Sequence, residues 1–357
     1  MKTYKIAVIP GDGIGVEVVN SSIEVLKALE KNKDYKLDFH EFDWSSEYYF
    51  KNGIMMPKDG IEQLESFDAI FLGAVGHPDI QDHITLNGLL LPIRRAFDQF
   101  ACVRPSVLYP GVNTPLKDLK PYDIDLVVVR ENTEGEYANV GGFQYQGFPD
   151  EVAVQSAVFT RKGCERVIRF AFELAIERNK KKHLTSITKS NAQGYSMVLW
   201  DRTFEEVKKD YPQVTTDSLL IDAACMDFIR KPQNFDVVVA SNLFGDILTD
   251  IGAIITGSMG LASSGNIDPT KTSPSMFEPT HGSAPDIAGK GIANPMAQIL
   301  TAGIMMKHLG ENESAEIIEN SVKNVLELGE SISPDLGGNS STSEVTRSII
   351  SNLWSKV

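Results

Sequence analysis

What this chain lacks narrows its role first. No stretch approaches the ~20 consecutive apolar residues that a membrane-spanning helix needs. The opening MKTYKIAVIPGDGIG has neither the apolar core nor the small-residue cleavage site of a secretory signal. Cysteine is scarce: Cys102, Cys164 and Cys225 stand far apart, in no C-x-x-C spacing. That excludes a disulfide framework and a cysteine-held zinc site, and leaves free thiols suited to a reducing compartment. The expected setting is therefore cytoplasmic. Positive charge is short as well, with 34 Lys and Arg against 48 Asp and Glu and a formal net charge of −14. So acidic a chain is a poor partner for nucleic acid or an anionic membrane. It would also repel a small anion unless its basic groups were gathered in one place. Repeats, low-complexity tracts and obvious linkers are missing too.

What is present is a chain of 357 residues, 42% hydrophobic, too long for one comfortable core and suited to two domains. Short β-branched runs alternate with helical patterns. Lys5–Pro10, Ala69–Leu72, Leu126–Val129, Leu184–Thr188, Leu219–Ile221 and Val237–Ala240 read as strands. Val19, Ile23 and Leu26 give the first helix its apolar face. Further helices are expected over Cys164–Arg178, Tyr195–Lys209, Asp246–Ile255, Pro295–His308, Ser314–Ser331 and Ser343–Trp354. The pattern is that of an α/β protein with covered sheets. Around 138–160, a Gly- and aromatic-rich segment precedes the alternating run EVAVQSAVFT. This reads either as an internal hairpin or as a projecting arm whose apolar side chains want a partner.

Several polar groups stand where chemistry is expected. The cluster Gly11-Asp12-Gly13-Ile14-Gly15 follows a strand, but its spacing is not that of a dinucleotide fingerprint, and Asp12 would repel a pyrophosphate. A tight turn is the better reading. Arg94, Arg104 and Arg130 suit bidentate carboxylate recognition, whereas Arg95 reads as a surface charge. Arg130, Lys189, Asp222 and Asn242 each sit where a strand empties into a loop, the edge at which α/β sheets bind ligands. Asp246 and Asp250 are one helical turn apart and repel unless a cation lies between them. With Asp222 they offer an all-oxygen set suited to Mg²⁺ or Mn²⁺. The segment EPTHGSAPDIAG has the turn glycines that let backbone approach a phosphate, and Asp286 suits ribose hydroxyls while opposing a 2′-phosphate.

In order along the chain, IPGDGIG, RPSVLYPGV, VVRENTEGEY, TKSN, SNLFGDILTD and EPTHGSAPDIAGKGIANP resemble the isocitrate/isopropylmalate dehydrogenase family over essentially its whole length. Within that family the chain is most similar to the tartrate/D-malate dehydrogenase branch, through DHITLNGLLLPIRRAFDQF, VFTRKG and TKSNAQGYSMVLWD. The resemblance implies a two-domain α/β fold that is not a Rossmann fold. Residues 1–103 and 255–357 would form a discontinuous large, NAD-binding domain. Residues 104–254 would form a smaller middle domain with the metal and substrate groups, and the arm would clasp a second subunit into a homodimer.

The same resemblance implies site roles. Arg94, Arg104 and Arg130 would hold substrate carboxylates. Asp222, Asp246 and Asp250 would bind Mg²⁺ or Mn²⁺, with Asp222 donated across the dimer. Lys189 would take the proton from a 2-hydroxyl, and Tyr137 would protonate the enol once CO₂ has left. His281, Gly282, Ser283, Ala284, Asp286 and Asn294 would bind NAD, and K⁺ is a candidate auxiliary ion. The helix before Arg94 would meet the substituent on C3 with Asn87 and Leu90. D-malate or tartrate leads, because Asp82-His83-Ile84-Thr85 replaces the Pro-Glu sequence typical of isopropylmalate enzymes. 3-Isopropylmalate is the alternative, since leucines suit an isopropyl group. A non-catalytic, ligand-binding subunit is the alternative of another class, opposed by the retention of Tyr137, Lys189 and all three aspartates.

Overall fold

The computed structural model describes residues 1–354; the last three residues, assigned above to the large domain, lie outside the described residues. In chain order the strands are β1 (Lys2–Gly11), β2 (Tyr35–Glu41), β3 (Ala69–Ala74), β4 (Ala101–Val107), β5 (Asp125–Glu131), β6 (Gly135–Gln144), β7 (Val152–Val158), β8 (His183–Thr188), β9 (Thr215–Leu220), β10 (Val237–Ala240), β11 (Gly265–Ile267) and β12 (Ser275–Phe277). Two compact units result. The first comprises Met1–Gln99, Arg104–Ile124 and the chain from Gly252 onward; the second comprises Phe100–Val103 and Asp125–Ile251.

The seams differ from the expected 103/104 and 254/255. Residues 104–124 pack with the first unit because Tyr109 is buried in its core and Thr114 Oγ1 donates to the Ile255 carbonyl at 2.7 Å.

In the first unit the strands lie in the order β2-β1-β3-β12-β11, parallel except for the antiparallel β11/β12 pair. The alternation of side chains decides which face each residue serves. Ile6, Val8, Ala69 and Phe71 point into a core shared with the helices Ile14–Glu30, Met296–His308, Asn312–Leu328 and Thr342–Asn352. Ala7, Ile9, Ile70 and Leu72 point the other way, onto Trp44, Met55, Leu64, Leu89, Leu90, Ile93 and Phe97. Both faces are buried, so the strands read as continuous apolar runs.

The second unit carries the parallel order β5-β10-β8-β9. Its sheet packs with the helices Arg161–Arg178, Ser196–Val207 and Ile221–Arg230, and Phe172, Trp200 and Phe228 are wholly buried. Trp200 Nε1 donates to Ser186 Oγ at 3.0 Å, which satisfies the indole inside the core. β6 and β7 form a separate antiparallel ribbon, and Phe143, Tyr145 and Phe148 at its end are 60–69% exposed. Because all four sheet strands run the same way, their carboxyl ends share one edge.

Candidate active site

That edge orders the polar groups of the second unit. Arg130 ends β5, Asn242 follows β10, Lys189 follows β8, and Asp222 comes just after β9, in the first turn of the helix Ile221–Arg230. Asp222 therefore belongs to a helix that starts at Ile221, one residue earlier than the strand reading allowed. Arg130 is 3% exposed. Its Nε and Nη2 donate to Asn242 Oδ1 at 3.0 and 2.7 Å, and its Nη1 pairs with Asp246 Oδ1. The Tyr137 hydroxyl donates to the other oxygen of Asp246 at 2.9 Å, and its ring lies 5.3 Å from the Arg130 guanidinium. Asp250 stands one turn further along the same helix, Asn242–Ile255, and is exposed.

At the other end of the edge Lys189 Nζ donates to Asp222 Oδ1 at 2.7 Å. This bond holds the Asp222 carboxyl below the usual carboxylate range. Adjacent strands are ~4.8 Å apart, so β9 lies roughly 14 Å across the sheet from β5. Asp246 follows β10, two strands from β9, so the strand ends that lead to Asp222 and Asp246 are roughly 10 Å apart. Among the described residues no group of three or more His, Cys, Asp or Glu side chains is gathered to hold a metal. The donors have the hard, all-oxygen chemistry that Mg²⁺ or Mn²⁺ takes, but one chain presents them in two halves.

In the first unit, Arg94 and Glu278 are both buried, and Arg94 Nη2 donates to Glu278 Oε1 at 2.5 Å. Asn266 Nδ2 donates to the same oxygen at 2.8 Å. Arg104 is buried on β4, and Arg95 is exposed. Asn87 lies in the wide helical turn Leu86–Leu90, where its Nδ2 donates to the His83 carbonyl at 2.8 Å. Leu90 is 7% exposed and packs in the core beside Leu89 and Ile93.

His281, Gly282, Ser283 and Ala284 form a loop held by the glycine turn. Ile14 N donates to the Ser283 carbonyl at 2.8 Å. A Cβ on Gly13 would lie 2.0 Å from that carbonyl, and Gly13 has φ +57°, so only glycine fits. Asp12 is buried and accepts from Ser46 N at 2.8 Å, Ser46 Oγ at 2.6 Å and Gly76 N at 2.9 Å. Its charge ties three loops together instead of meeting a ligand.

A cavity of about 620 Å³ lies between Val75–Asp82 and Gly282–Pro285. A second, of about 410 Å³, is lined by Ile14, Met259, His281, Ile287 and Ile292 among others. His281 sits at its wall. Burial pushes its imidazole below the ordinary histidine range. The neutral ring has Nδ1 on the Gly282 carbonyl at 3.0 Å, and among the described residues Nε2 meets no hydrogen-bond partner. An apolar slot beside an acceptor nitrogen fits an aromatic base with an amino group. Asp286 is exposed on the same loop. The Asn294 side chain is engaged structurally, donating to Asp335 at 3.0 Å and accepting from Met296 N at 3.0 Å.

The roles of four residues were not legible in the sequence. The roles of Asp12 and Glu278 rest on partners distant in the chain. Asn242 was noted at its strand end, but nothing there revealed Arg130 as its partner. Glu136, beside Tyr137, accepts from Ser241 Oγ at 2.9 Å and Leu243 N at 3.1 Å. It caps the helix that carries Asp246 and Asp250.

Comparison with known proteins places the chain in a family. The isocitrate/isopropylmalate dehydrogenase profile matches residues 5–349. A probable tartrate dehydrogenase/decarboxylase of Agrobacterium vitis is 52% identical, over 98% of this chain and 97% of its own. The decarboxylating D-malate dehydrogenase of Escherichia coli is 49% identical over 98% of both chains. Isocitrate dehydrogenase from Methylococcus capsulatus shares the fold with a TM-score of 0.88 and 34% identity, covering 99% of this chain and 100% of that one. The fold is the α/β isopropylmalate dehydrogenase type that the motifs implied, and the chain belongs to the isocitrate/isopropylmalate dehydrogenase family of hydroxy-acid oxidoreductases.

Proposed function

We propose that the protein oxidises D-malate or tartrate with NAD and Mg²⁺ or Mn²⁺, and decarboxylates the β-keto acid so formed. The observation that carries this reading is the pairing of Lys189 with Asp222 at one end of a sheet edge whose other end holds Arg130, Tyr137 and Asp246. Those are the base, acid, cation and carboxylates that the reaction needs.

Asp246 and Asp250 of one subunit, with Asp222 of a second, would hold the cation; in support, the three are not gathered into one cluster among the described residues of a single chain. When bound, the cation lowers the pKa of a substrate 2-hydroxyl and polarises the ketone, while NAD accepts the hydride. Lys189 takes the hydroxyl proton. To do so it must first release Asp222 and lose its ammonium proton to solvent, so that the neutral amine accepts the hydroxyl proton. Arg130 orients a carboxylate, and the Tyr137 hydroxyl supplies the proton that the enol takes up. His281, with the walls of the 410 Å³ cavity, receives the base of NAD, and Asp286 accepts from ribose hydroxyls. Its charge opposes a 2′-phosphate and so selects NAD.

The exposed aromatic end of the β6–β7 ribbon, with Met226 and Ile229 on the helix Ile221–Arg230 and Ile247 on the helix Asn242–Ile255, forms the surface for the second subunit. Among the described residues no helix is long and apolar enough to cross a membrane.

The test is NADH formation with Mn²⁺ and a panel of D-malate, the tartrate isomers and 3-isopropylmalate. D-malate or a tartrate should lead by about tenfold or more in kcat/KM. A lead by 3-isopropylmalate would overturn the substrate assignment, and a flat trace with every acid would overturn the reaction.

A further inference from the structure

The structure gives Arg130 two anchors of different character. Asp246 is an anion that the proposed function gives to the cation. Asn242 is neutral and 1% exposed. Its Oδ1 receives two N–H groups of Arg130 side-on, at 3.0 and 2.7 Å, which fixes the plane of the guanidinium. Its own Nδ2 donates to the Glu134 carbonyl at 3.2 Å, so the amide cannot flip without losing bonds at both ends. The Arg130 stem is held from another side by the backbone of Gly245, where a Cβ would come within 2.6 Å of the arginine's own Cβ. Asn242 opens the helix whose start Glu136 caps through Ser241 Oγ and Leu243 N. The anchor is therefore rigid before any ligand arrives.

Resting on the proposed function, we infer that Asn242 is a positioning residue for substrate: its amide oxygen aims Arg130 at a substrate carboxylate without cancelling the arginine's charge. A carboxylate at this position would bond the same two N–H groups but would neutralise the guanidinium. An alanine would remove the neutral side-on acceptor that keeps the guanidinium aimed once Asp246 turns away. Only a neutral acceptor of this length does both tasks.

Asn242→Ala and Asn242→Asp test this, with steady-state kinetics and with calorimetric binding of D-malate and D-tartrate in the presence of Mn²⁺. Both variants should raise KM and Kd for the acid about tenfold or more while KM for NAD stays within about twofold. Asn242→Gln, which keeps a neutral acceptor, should recover part of the loss. An Asn242→Asp enzyme that binds the acids as the unmodified enzyme does would overturn the inference. Equal rises in both KM values with a lowered melting temperature would also overturn it, since they mark a merely structural residue. If the unmodified protein binds the acids without oxidising them and the variants lose that binding, the inference stands and the proposed reaction fails. Absence of both binding and oxidation in the unmodified protein overturns both.

Discussion

Replacing Glu278 by Gln should destabilise the protein far more than the loss of one hydrogen bond would. The side chains of Arg94 and Glu278 are 7% and 8% exposed, and their contact is 2.5 Å. Among the described residues Arg94 Nε has no hydrogen-bond partner, so the guanidinium has little else to turn to. Gln keeps the shape and the acceptor that Asn266 uses, but leaves the arginine's charge buried and uncompensated. Breaking a buried pair by removing one partner costs about 3–5 kcal/mol. Removing both charges, as in Arg94→Met with Glu278→Gln, should return much of that loss, because no unpaired charge remains. Urea denaturation of the two single variants and the double variant closes the cycle, and the expected coupling is at least about 1.5 kcal/mol. A Glu278→Gln midpoint corresponding to less than about 1 kcal/mol, or strict additivity in the double variant, would refute the claim that this pair matters as a buried charge pair.

Other outcomes follow from the same geometry. Lys189→Ala should lower kcat by about 10²–10⁴-fold, the contribution of a positioned general base, while NAD binding measured by fluorescence is retained; near-normal turnover would remove Lys189 from the mechanism. Asp286→Ala should weaken NAD and narrow the preference for NAD over NADP, and an unchanged ratio would place the ribose contact elsewhere. Burial, helped by the nearby Lys271, pushes His308 down from 6.5 to about 4. The unfolded chain takes up this proton first on acidification, so the stability held above pH 6.5 is lost as pH falls toward 4. At 1.36 kcal/mol per unit this amounts to about 3 kcal/mol at most. His308→Phe should flatten the dependence of melting temperature on pH in that window, and an unchanged slope would contradict the assignment.

Much of the sheet was legible because strands buried on both faces must be apolar throughout. Ile6–Ile9, Leu126–Val129 and Val237–Ala240 show this directly. β2 was missed for the opposite reason: it lies at the sheet edge, and in YKLDFHE the residues Lys36, Asp38 and His40 break the run. β4 carries Arg104, Pro105 and Ser106, and β11 and β12 are three residues each, too short for any period to register.

The candidate site was legible where a charged residue stands at a strand's end, as with Arg130 and Lys189. It was illegible where a role depends on a distant partner. Asp12 looked like an obstacle to an anion, yet its partners lie 34 and 64 residues away. Glu278 stood in plain view within EPTHG, but its pairing to Arg94 spans 184 residues. The wide turn at Leu86–Leu90 has a similar cause: Gly88 lies so close to Met55 that a Cβ would come within 2.6 Å of that side chain, a contact no local pattern records.

In the proposed dimer each active site takes Asp222, with the Lys189 that pairs to it, from one chain and Arg130, Tyr137, Asp246 and Asp250 from another. This division is tested most directly by co-expressing Asp222→Asn and Asp246→Asn chains, each inactive alone. In a two-fold dimer, mixed pairs carry one doubly altered site and one intact site, so a random mixture should regain about a quarter of the unmodified turnover. No activity in the mixture, with mixed dimers demonstrated by mass spectrometry, would contradict the shared site.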